Sequence, residues 1–170
     1  NNSFVAYENV KINENDSLHI YGDSIHYFGN NEKAYIYGNV LVKSNRINLR
    51  TNSLIYDQNL KIAYYNYGAT VEDIEKGYEI KSQKGVFNTQ LQNVFFKKNV
   101  HLIHEDYDIM SDSLIYHTNT QKSDIIGNAE IQTEKSSIFC NKGWFDSKNN
   151  KASFKKNVII KKFQTKFVKE

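Results

Sequence analysis

The side chains best suited to hold a metal ion cluster at His101 and His104, which Glu105 and Asp106 follow directly. Imidazole and carboxylate groups are the usual zinc ligands, so this cluster is the first candidate for metal chemistry. In an extended strand, however, residues three apart point to opposite faces, and two imidazoles placed in this way do not meet at one ion. We therefore predict no metal site and no cofactor.

Two carboxylates recur in matching contexts, Asp23 in "GDSIHYF" and Asp112 in "SDSLIYH". The corresponding positions elsewhere hold Asn52, Gln83 and Asn141, which cannot titrate. A position shared by Asp and Asn is typical of turns and bulges rather than of acid–base catalysis. The sequence therefore predicts that the protein is not an enzyme.

Composition favours strands over helices. Aromatic residues make up 14% of the chain and proline is absent, so every backbone N–H is available to a sheet. The net charge of +3, from 22 basic and 19 acidic residues, is too small for a nucleic-acid-binding surface. Cys140 is the single cysteine, which excludes an internal disulfide. The start, "NNSFVAYENV", lacks a signal peptide, so we expect either a cytosolic protein or a removed targeting segment.

An internal repeat of about thirty residues organises the chain. Its first landmark is an Asn-Val dipeptide or a close relative, at Asn9-Val10, Asn39-Val40, Thr70-Val71, Asn99-Val100, Asn128-Ala129 and Asn157-Val158. Its second landmark keeps the same spacing, in "GDSIHYF", "TNSLIYD", "SQKGVFN", "SDSLIYH" and "CNKGWFD". The last unit stops soon after Val158, so we expect the chain to be cut from a longer protein.

Apolar residues alternate with polar ones around the first landmark, which predicts strands with one buried face. The inward-facing residues are Ala34, Ile36, Val40, Val42, Val94, Phe96, Val100, Leu102, Ile125, Ala129, Ile131, Phe154, Val158 and Ile160. Small residues share this parity and would leave space between two sheets. They are Ala34, Gly38, Gly127, Ala129 and Ala152. The residues alone are equally compatible with a closed, packed core and with an open apolar trough.

The second strand of each unit changes phase. Ile109, Ser111 and Ser113 share one parity, whereas Leu114 and Tyr116 take the other, which predicts a bend or bulge. Polar, turn-rich tracts such as "FGNNEK" and "HTNTQK" close the units. The expected product is an all-β stack whose terminal strands present open edges.

The segments "YGDSIHYFGNNEKAYIYGNV", "TNSLIYDQNLKIAYY", "SDSLIYHTNTQKSDIIGN" and "CNKGWFDSKNNKASFKKNV" resemble the OstA-like proteins of Bacteroidetes-type bacteria, within the OstA/LptA superfamily. The resemblance covers roughly residues 5–160. It implies an antiparallel β-jellyroll opened into a V, the β-taco, whose apolar trough holds the acyl chains of lipid A. It also implies end-to-end pairing of edge strands, with itself or with other jellyroll domains, and no catalytic residues.

On this resemblance we interpret residues 1–170 as a single jellyroll domain, located in the periplasm and associated with outer-membrane biogenesis. The fourteen inward-facing residues would line the trough and hold lipopolysaccharide. Lys97, Lys98, Lys155 and Lys156 occupy matching places in two units and are candidate contacts for lipid phosphates near the trough mouth. The alternative is a structural or adhesive β-solenoid array that assembles end to end without a small ligand. An enzyme of carbohydrate metabolism lacks the clustered carboxylate pair that it would need.

Overall fold

The computed structural model describes residues 2–14, 17–44, 47–149 and 151–163. Within them the chain forms fourteen antiparallel strands, so the prediction of an all-β protein is confirmed. Strands β1 to β14 span Ser3–Glu14, Leu18–Phe28, Lys33–Ser44, Ile47–Asp57, Ile62–Tyr65, Ala69–Asp73, Tyr78–Ser82, Lys84–Asn88, Asn93–Ile103, Tyr107–His117, Lys122–Thr133, Ser136–Asp146, Lys151–Lys155 and Ile159–Lys162. In this described part, no helix has the length and apolar character needed to cross a membrane.

The strands form two layers, because three of the long strands pair with a different short strand at each of their two ends. Residues 55–57 of β4 pair with β5, whereas residues 47–51 of the same strand pair with β6. Strand β9 likewise pairs with both β7 and β8, and β12 pairs with both β13 and β14. We call the layer that contains β5, β8 and β13 layer A, and the layer that contains β6, β7 and β14 layer B. Each long strand contributes one half to each layer.

The long strands β1, β3, β9 and β11 pass between the layers at a bulge, and the strands between them bend at the same level. The pairing register shifts between Tyr7 and Val10 of β1 and between Tyr37 and Val40 of β3. Backbone pairs in the left-handed region mark these bulges, at residues 8–9, 38–39, 98–99 and 156–157. Asn occupies the second position of each pair because it tolerates this conformation better than most residues do. The recurrent Asn-Val dipeptide therefore combines a bulge residue with the residue that follows it.

The predicted bend in "SDSLIYH" is confirmed. The register of β10 shifts between Ser111 and Ser113 against both neighbouring strands. Ile109 and Leu114 are each at most 1% exposed although they have opposite parity. The bulge resets the alternation, so both halves of the strand bury their apolar face.

Gly38 and Gly127 differ from the expectation that they face inward and widen the interior. Both lie in bulges, are half-buried and have left-handed backbone, with φ of 73° and 87°. A Cβ at Gly38 would lie 2.8 Å from Cγ of Asp23, and a Cβ at Gly127 would lie 2.9 Å from Cβ of Asp112. Their small size therefore serves the bulge and not the space between the layers. Ala152, the third such residue, is exposed.

The turns at the ends of layer A are capped by side chains. Asp57 Oδ1 accepts a hydrogen bond from the Leu60 N–H at 2.9 Å, and Asn88 Oδ1 accepts one from the Leu91 N–H at 2.8 Å. Lys33 lies 3.3 Å from Asp57. The Leu60 N–H and this lysine lower the pKa of Asp57. The turn-rich tracts that begin at Asp57 and Asn88 are thus Asx-type turns, as their composition predicts.

We predict that Gly38→Ala lowers the free energy of unfolding by about 1 kcal/mol more than Gly77→Ala. Both glycines have left-handed backbone, with φ of 73° and 67°, so each alanine costs about 1–2 kcal/mol of backbone strain. Only Gly38 faces Asp23, whose Oδ2 accepts a hydrogen bond from Asn39 Nδ2 at 2.9 Å. Displacing that carboxyl loses the bond, worth about 1 kcal/mol. Urea unfolding followed by Trp144 fluorescence measures both losses, and equal losses would contradict the prediction.

Candidate functional site

The interior between the two layers is lined by most of the residues that the sequence pattern selects. Eleven of the fourteen candidates are at most 7% exposed and belong to one apolar cluster. They are Ala34, Ile36, Val40, Val42, Val94, Phe96, Val100, Leu102, Ile125, Ala129 and Ile131. Their alternation along β3, β9 and β11 places them on the inner face of both layers.

The remaining three candidates lie at the C-terminal edge. Phe154 of β13 is half-buried and packs against the core. Val158 and Ile160 are 41% and 58% exposed. They lie beside and on β14, the short outermost strand of layer B, where fewer neighbours cover them.

The sequence pattern missed more than half of the interior. Leu49, Leu54, Ile80, Leu114 and Tyr116 are at most 1% exposed and belong to the same cluster. They lie on the strands that carry the second landmark, where the bulge changes the parity of the buried face. Counting the alternation separately on each side of the predicted bulge is the signal that would have found Leu114 and Tyr116.

The two layers touch along the side opposite the bulges, which we call the mouth. Tyr116 Oη of layer A donates a hydrogen bond to Asp73 Oδ2 of layer B at 2.6 Å, and both residues are buried. Lys61 forms an ion pair with Glu14 across the same side. The rings of Tyr107 and Phe145 meet edge to face, with centroids 4.7 Å apart. These contacts hold the layers together at their tips.

The mouth contacts of Tyr107 form part of an aromatic cluster. Tyr107 Oη donates a hydrogen bond to Tyr78 Oη at 3.1 Å. The His104 ring lies 4.8 Å from each of these two rings. Burial and the hydrogen bond to Tyr78 raise the pKa of Tyr107 well above its usual range. The phenol therefore stays neutral and keeps its proton for the bond.

A cavity of about 730 Å³ opens beside this cluster, and we call it the end cavity. Its walls come from both layers and are mainly apolar. The apolar lining consists of Tyr107, Ile109, Ile131, Ile138, Phe145, Ala152 and Phe154. Lys76, Asp106 and Thr133 add polar groups to the lining. This volume lies within the range of about 300–1,000 Å³ that is typical of small-molecule sites, and the mixed lining is typical as well.

The four candidate phosphate-binding lysines lie at bulges and not at the mouth. Lys98 and Lys156 have left-handed backbone, and all four side chains are exposed. Lys97 Nζ lies 4.5 Å from the centre of the Phe95 ring. Each half-strand has a bulge at one end and a turn at the other, and the mouth is on the side opposite the bulges. These lysines, which lie at bulges, are therefore on the outer side of the molecule. Their contact with phosphate remains a prediction.

The histidine cluster of the sequence is divided by the structure. His101 Nε2 lies 3.5 Å from Asp108, whereas His104 belongs to the aromatic cluster and lies 3.7 Å from Asp106. His104, Glu105 and Asp106 place one ligand atom each within 4.8 Å of one another. Glu105 and Asp106 are exposed, and exposed acidic groups commonly lie this close without an ion. The absence of a metal remains a prediction.

Comparisons with known proteins agree with this architecture. A sequence model of the family described as OstA-like protein matches residues 1–112. Among solved structures, the chain is similar to LptH, described as the LptA homologous periplasmic component of the conserved lipopolysaccharide transport device from Pseudomonas aeruginosa. The match has a TM-score of 0.56 and 13% identity, and covers 87% of this chain and 95% of LptH. At this identity the likeness concerns the fold, an antiparallel β-jellyroll. A search of curated proteins found no match.

We predict that Tyr116→Phe lowers the free energy of unfolding by about 1–3 kcal/mol, because it removes the buried bond to Asp73. Tyr56→Phe is the matched control. Tyr56 is 3% exposed, and its hydroxyl has no hydrogen-bond partner among the described residues. Loss of the Tyr56 hydroxyl should lower the free energy of unfolding by less than about 0.5 kcal/mol, or should raise it. Urea unfolding distinguishes the two variants, and equal effects would show that the Tyr116–Asp73 bond does not stabilise the mouth.

Proposed function

The chain belongs to the OstA-like protein family, and on that premise we propose that it is a periplasmic module that carries lipopolysaccharide toward the outer membrane. The observation that carries the proposal is the apolar interior between the layers, which opens into the end cavity. The likeness to LptH, a component of a lipopolysaccharide transport device, supports the same function. The proposed role is binding and transfer, with no catalysis.

We propose that acyl chains lie between the layers and are held by the eleven buried residues of the predicted set and by Phe154 at the edge. Burial of each CH₂ group contributes about 0.8 kcal/mol, so an apolar interior offers a lipid chain roughly what a membrane offers. A carrier needs this near balance, since its lipid must both bind and leave. The end cavity supports the proposal because it provides apolar walls that no side chain of the described chain fills.

We further propose that the unit of about thirty residues is the structural repeat and that the layers part into a V when lipid binds. The left-handed pairs at 8–9, 38–39, 98–99 and 156–157 support a repeating unit. Among the residues that the structure describes, separation of the layers would break the Tyr116–Asp73 bond and the Lys61–Glu14 ion pair at the mouth. The exposed lysines at the bulges would then meet lipid phosphates only at the outer surface.

The proposed partners are further jellyroll domains, either copies of this chain or different ones, joined through edge strands. Strand β1 pairs only with β2 in the described part of the chain, and its Phe4 and Val5 are 52% and 46% exposed. At the other edge, Ile159 and Ile160 of β14 are 56% and 58% exposed. Such apolar edges favour pairing with another sheet. They would equally serve a structural array without a ligand, which the following experiment separates from transport.

We predict that the purified chain co-elutes with lipopolysaccharide and that Ile138→Asp weakens binding at least tenfold. Ile138 lines the end cavity, and a carboxylate there would repel both acyl chains and lipid phosphates. Ile126→Asp is the matched control, because Ile126 is 42% exposed at a bulge outside the interior. Titration with lipopolysaccharide measures the affinities, and thermal unfolding checks that each variant is folded. Phe154→Ala provides a second, uncharged change in the cavity.

Equal binding by the native chain and by both cavity variants would place the lipid elsewhere. Failure of the native chain to bind lipopolysaccharide, together with concentration-dependent end-to-end assembly, would replace transport by the structural-array function. Light scattering of the same samples measures that assembly.

A further inference from the structure

A row of exposed tyrosines runs across the outer side of the bulges. Tyr7, Tyr37 and Tyr67 are 73%, 48% and 87% exposed. Each lies one residue before a residue with left-handed backbone, namely Glu8, Gly38 and Gly68. We call these three side chains the tyrosine row. Large apolar or aromatic groups that stay exposed at regular positions indicate a binding surface.

The pairing register fixes the geometry of the tyrosine row. Ser24 of β2 pairs with both Tyr7 of β1 and Tyr37 of β3, so the three side chains share one face. Ser53 of β4 pairs with Tyr37 on the other side. Tyr67 lies in the link between β5 and β6, which pair with β4 on either side of residues 52–54. Tyr7 and Tyr37 are therefore separated by one strand that carries a serine, so their backbones lie about 9.5 Å apart, and Tyr67 follows beyond the next serine.

A groove of about 580 Å³, lined mainly by polar residues, includes Asn39 and Gly68 and so begins within two residues of Tyr37 and Tyr67 along the chain. Four amide side chains line it, those of Asn39, Asn52, Gln83 and Asn99, and we call it the amide groove. Asn39 Nδ2 donates a hydrogen bond to Asp23 Oδ2 at 2.9 Å, whereas the other three amides form no side-chain hydrogen bond with any described residue. The corresponding amides nearer the C-terminus differ, because Asn141 Nδ2 donates to Asn128 Oδ1 and Asn157 Nδ2 donates to Asn141 Oδ1, each at 2.6 Å. The amides of Asn52, Gln83 and Asn99 thus remain available to a ligand.

The charges around the amide groove offset one another. Arg50 lies 3.8 Å from Glu72, and Lys81 lies 2.6 Å from Glu79. Each cation that lines the groove therefore has an acidic neighbour. A phosphate or a nucleic acid would need an excess of free positive charge in the groove, so the part of the ligand that the groove contacts is uncharged.

We propose that the tyrosine row and the amide groove form a binding site for a linear carbohydrate chain. The C–H face of a pyranose ring stacks on an exposed aromatic ring, and side-chain amides both donate to and accept from sugar hydroxyls. The spacing between tyrosines is close to the repeat of a β-1,4-linked disaccharide, so alternate sugars would meet successive rings. The serines between the tyrosines leave room for the intervening sugars. This site lies outside the apolar interior and is independent of lipid binding there.

The test is a titration of the full chain with two soluble probes, chitohexaose and deacylated lipopolysaccharide. We expect at least one of them to bind and Tyr37→Ala/Tyr67→Ala to weaken that binding at least tenfold. Both side chains are exposed, so the double variant should have the same unfolding temperature as the native chain. Phe163→Ala is the matched control, since Phe163 is 49% exposed at the opposite end of the sheet and its loss should leave the affinity unchanged.

Two further variants test the chemistry of the contact. Tyr67→Trp should retain binding because stacking needs a ring and not a hydroxyl, whereas Gln83→Leu should weaken it by removing an amide. Binding of chitohexaose indicates a free glycan chain as the ligand, and binding of deacylated lipopolysaccharide alone indicates the sugar portion of a glycolipid. If neither probe binds, or if the double variant binds as well as the native chain, the carbohydrate site is excluded and the tyrosine row is left as a surface for a protein partner.

Discussion

The left-handed bulges of β1, β3, β9 and β11 are the constraint on which the rest of the structure depends. Because the strand turns at the bulge, one antiparallel meander builds both layers, and the two halves of each strand face a common interior. The bulge needs residues that accept positive φ, which explains the Asn and Gly at positions 38–39, 68, 99 and 127. Asp112 Oδ2 then accepts hydrogen bonds from the backbone N–H and the side-chain amide of Asn128, at 2.8 and 3.1 Å, and thereby fixes one strand at the next.

The shape of the interior follows from the same constraint. Where long strands cover both sides, as around Phe96 and Leu114, side chains from the two layers exclude water completely. At the C-terminal edge the sheet ends in the short strands β13 and β14, which supply fewer residues to each layer. The end cavity is the space that this shortage leaves. The position best suited to receive a ligand is thus set by where the strands become short and not by a special group of residues.

The bulges also separate two kinds of surface. The inner faces carry aliphatic and aromatic side chains without charge, as a lipid chain requires. The outer side of the bulges carries amides, tyrosines and lysines, which suit polar ligands. Neighbouring residues such as Tyr37 and Val40 therefore belong to different environments, because the bulge between them turns one outward and the other inward.

Much of the fold could be predicted from the sequence, because alternation of apolar and polar residues is a local property of a strand. The spacing of Ala34, Ile36, Val40 and Val42 defined a buried face, and the change of phase between Ile109 and Leu114 defined a bulge. The resemblance to OstA-like proteins supplied the jellyroll. The position of the four lysines was not predictable, because only the pairing of the strands shows which end of each half-strand faces the mouth.

By itself, then, the sequence determined which residues of β3, β9 and β11 face inward, where strands bend and where turns lie. The tertiary structure alone decided how closely the layers approach, which residues such as Tyr116 and Asp73 meet across the mouth, and that Tyr7, Tyr37 and Tyr67 form one row. The physical reason is that the alternation of apolar and polar residues determines only which side chains of a strand share one face of that strand. Contacts between strands far apart in the chain depend on register and layer packing, which no local pattern encodes.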